Sequence, residues 1–138
     1  MGITLGTKRK DVSMGYASFY RFRLEIAKAY STDFYSKLNA YWLNVMRFFY
    51  IEPHVERLDK MMNAYIANNN IPDGLCSFIF QSDTEGKISC KTARLIRDLC
   101  LKSKSEDRFG YVHCQLNMKG MAEIFDDAVK HRCNVKWC

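Results

Sequence analysis

The run Gln81-Ser82-Asp83-Thr84-Glu85-Gly86-Lys87-Ile88-Ser89 constrains the fold more than any other part of the chain. It joins an acidic turn to a single isoleucine set between polar neighbours, and then to a serine placed to start a helix. Ser82 or Asp83 is expected to bond the turn's own amides, and Gly86 to take a positive φ. Ile88 then pins the turn to a core, so the junction orients whatever precedes it against the helix that follows.

The rest of the chain is organised mostly by helical spacing. Residues 1–15, with Gly2, Gly6 and Gly15 among short apolar pieces, read as a hairpin or an irregular arm. From Tyr16, the residues Phe19, Phe22, Ile26 and Tyr30 recur at spacings of three and four, which marks an amphipathic helix. Ser31-Thr32-Asp33 offers N-caps for a second helix. Its apolar face, Leu38, Tyr41, Trp42, Val45, Phe48 and Phe49, is expected to be largely buried, and Pro53 places its end near Tyr50. A third helix carries Val55, Leu58, Met61, Met62, Tyr65 and Ile66, closed by the turn residues 68–74.

Leu75 to Phe80 reads either as a buried strand or as one helical turn capped by Asp73. Ser89 caps a further helix with Ala93, Ile96, Leu99 and Cys100 inward and Lys91, Arg94, Arg97 and Asp98 outward. Residues 102–108 form a charged loop. Tyr111 to Met118 alternates as a strand, and Asn117 caps a last helix bearing Met121, Ile124, Phe125, Ala128 and Val129. Val135-Lys136-Trp137 returns to the sheet. The expectation is a single compact domain over residues 1–138, α+β and mostly helical, with about five helices and a small two- or three-stranded sheet.

Hydrophobic residues make up 48% of the chain, enough for a packed core and against wholesale disorder. No apolar run approaches the roughly 18 residues of a membrane span, and Thr7-Lys8-Arg9-Lys10-Asp11 replaces the apolar core of a secretory signal. The expectation is therefore a cytoplasmic protein. Its six cysteines, Cys76, Cys90, Cys100, Cys114, Cys133 and Cys138, should be free thiols, mostly buried, with Cys138 exposed. A net charge of +6 favours anionic partners, although the basic residues are spread along the chain.

A calcium loop with Gly86 sixth would use Gln81, Asp83 and Glu85, but its first ligand is an amide and Thr92 stands where the closing carboxylate belongs. Zinc would draw on His113, Cys114, His131, Cys133 and Cys138, which lack a paired Cys-x2-Cys knuckle. Cys114 beside His113 does not make a nucleophile pair, because strand neighbours point to opposite faces. No phosphate loop, nucleophile elbow or metalloprotease helix occurs. The reading is accordingly non-enzymatic, with no cofactor. Residues 16–23 interleave aromatics with arginines, a composition suited to stacking on bases and pairing with phosphates. The plainer reading buries Phe19 and Phe22 and solvates Arg21 and Arg23.

Ser13 to Arg23, the turn from Ser82 to Ser89, and Trp137 together resemble a loose set of small uncharacterised proteins of phages and bacterial genomes. That set pairs a Gly-Tyr-x-x-Phe helix start with a Ser-Asp-x-x-Gly-x-Ile-Ser turn. The matching residues are Gly15, Tyr16, Phe19, Arg23, Ser82, Asp83, Gly86, Ile88, Ser89 and Trp137. Ala17, Gln81 and Thr84-Glu85 depart from it. The resemblance brings no activity, but it implies a phage or prophage origin. The leading expectation is a counter-defence inhibitor that blocks a host protein or sequesters a nucleotide-like anion. Its binding residues would be Tyr16, Tyr20, Arg21, Arg23, Lys91, Arg94 and Arg97. A small nucleic-acid-binding regulator and a zinc-stabilised module are the alternatives, and self-association stays open.

Overall fold

Burial of alternate side chains on four short strands and of one stripe on most helices produces a two-layer α+β arrangement. The computed structural model describes residues 2–49 and 51–138. Strands β1 (Gly2–Gly6), β2 (Asp11–Gly15), β3 (Gly86–Ile88) and β4 (Val135–Trp137) form one antiparallel sheet in the order β2-β1-β4-β3. The helices are α1 (Tyr16–Tyr30), α2 (Thr32–Phe48), α3 (Glu52–Asn68), α4 (Asp73–Phe80), α5 (Cys90–Lys102) and α6 (Met118–His131). The class is as expected; among the described residues there is one more helix and at least one more strand than expected, because the N-terminal segment forms a hairpin and pairs with β4. No described helix is long and apolar enough to cross a membrane.

Inward positions Ile3, Leu5, Val12, Met14, Ile88, Val135 and Trp137 meet Phe19, Phe22, Phe78 and Phe125 from the helices. Three of these aromatics form a T-shaped set: Phe78 stands edge-on to Phe22 at 5.9 Å and to Trp137 at 5.7 Å. Ser31, Ser89 and Asn117 cap α2, α5 and α6 through the amides of Phe34, Thr92 and Gly120, as their sequence positions imply.

Several expectations are corrected. Residues 73–80 form a helix, and Asp73 is its first residue instead of its cap. The segment 111–118 is not a strand. Gly110, at φ +115°, turns the chain, Val112–Cys114 forms a 3-10 turn, and only Phe109 and Leu116 pair, with each other. The alternation there arises with Val112, an expected inward residue, 83% exposed. The expected helix end at Tyr50 lies outside the described residues. The apolar face of α2, expected to be largely buried, is not: α2 buries Phe34 and Leu38; α3 buries Met62. The six cysteines are free, but only Cys100 is buried; burial pushes its thiol well above the usual range.

Candidate functional site

Arg23 lies four residues after Phe19 and three before Ile26, so helical geometry places it on the buried face of α1. Its guanidinium is not solvated as expected: the residue is 5% exposed. It stacks 4.2 Å from the Phe19 ring and lies 5.6 Å from the Trp137 ring. Desolvation lowers its pKa to about 10, against a smaller opposing pull from Asp83. One Nη donates to the Ser82 carbonyl at 3.4 Å, whereas Nε has no partner. Trp137 Nε1 donates to the same carbonyl at 2.9 Å.

The acidic turn is therefore held from two sides. Gly86 does not take a positive φ; it is required for space, since a Cβ there would stand 2.2 Å from the Trp137 ring. Ser82 Oγ accepts from the Thr84 amide, Gln81 clasps both backbone groups of Lys87, and Ile88 is buried. Arg23, Ser82, Gly86, Ile88 and Trp137, drawn from three distant segments, thus meet in one knot. Among the described residues no three His, Cys, Asp or Glu side chains converge on a point suited to a metal ion.

Beside this knot lies a recess of about 350 Å³ lined by Tyr20, Tyr41, Trp42, Phe80 and Asp83, with Arg23 at its edge. Tyr20 packs on Trp42 with ring centroids 4.9 Å apart, and burial pushes its hydroxyl pKa up. The other expected binding residues do not join it. Arg21 turns to Asp107 at 3.8 Å, and Arg97 is tied to Asp126 at 2.9 Å and to Asp98. Tyr16 is half-buried against the core, and Lys91 and Arg94 are exposed on α5. Residues 16–23 therefore do not present one continuous cationic face. His131 bonds the backbone of Asp127, Cys133 accepts from Arg9, and His113 and Cys114 sit on the exposed 3-10 turn.

The largest feature that sequence reasoning missed is the hairpin of α2 and α3. Leu43, Met46, Ile51 and Met61 are 45–66% exposed along it. Two tyrosine hydroxyls lock the pair of helices: Tyr41 donates to Asp59 at 2.5 Å, and Tyr65 donates to Asp33. On the side of the hairpin away from Trp42, Ala40, Asn44, Leu58 and Met61 help line a groove of about 500 Å³. The signal was present, because apolar residues surround α2 on more of its circumference than one buried stripe can absorb. Segment 32–68 also holds four basic and four acidic residues, so the whole +6 of the chain lies elsewhere. No protein-family model, curated protein or solved structure matches the chain.

Proposed function

We propose that this chain is a non-enzymatic binding protein that docks the α2–α3 hairpin onto an acidic protein partner and acts by occluding it. One observation carries the reading: Leu43, Met46, Ile51 and Met61 expose large apolar side chains on an electrically neutral arm of an otherwise cationic molecule. Exposed apolar surface of this kind marks an interaction site in a soluble chain. The arm carries no net charge that would oppose the contact, and the positive charge on the rest of the chain steers an acidic partner toward the molecule. The resemblance of the 82–89 turn and of α1 to small phage and bacterial proteins supports a phage or prophage inhibitor, with a host protein as target and the host cytoplasm as its place of action.

Capture from a bacterial host lysate tests the reading, using the wild type and a Leu43→Ser, Met46→Ser, Met61→Ser variant side by side. An acidic protein retained stoichiometrically by the wild type and lost by the variant is the expected result. Equal retention by both, with the variant folded by circular dichroism, would overturn it. Sedimentation should show a monomer at micromolar concentration, because two copies at +6 repel; a stable dimer broken by the same substitutions would reassign the arm to self-association.

The recess beside Arg23 supports a second reading, capture of a planar nucleotide-like anion against the packed pair of Tyr20 and Trp42 that lines it. Titration with nucleoside phosphates should then quench Trp42 fluorescence, and Trp42→Phe should remove that response. No change with any nucleotide eliminates this reading.

A further inference from the structure

The solvent face of the sheet carries an arrangement that the fold itself does not explain. Lys87 of β3 and Lys136 of β4 stand directly opposite each other in register, both exposed. Like charges at opposed strand positions repel. Neither lysine has an acidic partner at ion-pair distance among the described residues, and neither does Lys8. The adjacent basic residues are treated differently: Arg9 is neutralised by Asp127 at 3.1 Å and Lys10 by Glu123 at 3.8 Å. Lys8, Lys87 and Lys136 thus bring uncompensated charge together beside the outward face of the sheet.

The surface around them is open. On its other side Lys136 faces Gly6 of β1, and the next outward pair is Thr4 and Ser13, whose hydroxyls bond each other at 2.8 Å. Thr4, Gly6, Lys8, Asn134 and Lys136 help line a recess of about 530 Å³, together with the carboxylate-bearing Asp11. Small residues leave the sheet low enough for a ligand backbone to approach, and hydroxyl and amide groups add neutral hydrogen-bond donors. No aromatic ring occupies an outward strand position, so bases have nothing to stack on.

We propose that this face binds the phosphodiester backbone of duplex nucleic acid, without reading sequence, through Lys8, Lys87 and Lys136. Contacts to phosphates alone position a protein on a duplex and carry no base information. Three neutralised phosphates give a slope of log K against log salt of about −2.7, and removal of two lysines leaves about −0.9.

Fluorescence anisotropy with a mixed-sequence DNA duplex and its isolated single strand, over a range of potassium chloride, tests this. The wild type should prefer the duplex and show the steeper slope. Lys87→Gln with Lys136→Gln should weaken binding on the order of a hundredfold at about 50 mM salt and flatten the slope. The same double variant should melt no lower than the wild type, since it removes a repulsion. The hairpin variant should bind the duplex unchanged, which separates this site from the docking arm. No duplex binding at the lowest salt, preference for the single strand, or an unchanged slope in the double variant would each overturn the proposal.

Discussion

Two residues show how tightly the turn at 82–86 is specified. Gly86 is close-packed beneath the indole of Trp137, so Gly86→Ala forces a ring or a strand to move. We expect a loss of about 1–3 kcal/mol in urea unfolding, as for other overpacked cores. Arg23 behaves differently. Its pKa falls from 12.5 to about 10, so holding the charge in the fold costs roughly 3 kcal/mol at neutral pH. The rings of Phe19, Phe78 and Trp137 and the Ser82 carbonyl offset part of that. Arg23→Met keeps the contact with Phe19 and removes the desolvated charge, and its stability should lie within about 1.5 kcal/mol of wild type or above it. Arg23→Ala leaves a cavity and should lose about 2–5 kcal/mol. If Met proves as damaging as Ala, the guanidinium itself holds the turn through Ser82.

The α2–α3 hairpin has a titratable lock of its own. The Tyr41 and Tyr65 hydroxyls are each pushed up to about 12, by burial first and then by hydrogen bonds to Asp59 and Asp33. An unfolded phenol titrates near 10. The folded state thus favours the neutral phenols, and their contribution is complete below about pH 10. It is lost as pH rises toward 12. Phenolate absorbance should show Tyr41 and Tyr65 among the late-titrating tyrosines, and Tyr41→Phe and Tyr65→Phe should each delete one late step. Early titration of both would mean that the helices are not locked at these points.

Helices were legible in the sequence where apolar spacing, cap and polar face agreed. In α5 and α6 the predicted inward residues Ala93, Ile96, Leu99, Cys100, Met121, Ile124, Phe125 and Ala128 are buried, and Val129 is half-buried. Spacing on α2 and α3 located the helices without saying what covers them. An apolar stripe reads the same whether it meets a core or solvent, and here much of it meets solvent. Alternation over 111–118 misled for a related reason. It describes side-chain direction in an extended chain, and Gly110 ends that extension at its first step. The knot at Arg23 was half legible: the turn and the helix were read separately, and their meeting through the Ser82 carbonyl needed the fold.

At the scale of the whole molecule, three surfaces of different character are set apart. The sheet exposes uncompensated lysines, the recess at Tyr20 and Trp42 is aromatic, and the hairpin is apolar and neutral. The central claim is that the last of these meets a protein partner. Hydrogen exchange on the complex with the captured acidic protein tests it most directly. The account predicts new amide protection confined to residues 41–62, with β1, β4 and α5 exchanging as in the free chain. Protection on the sheet or on α5, and none along the hairpin, would contradict it.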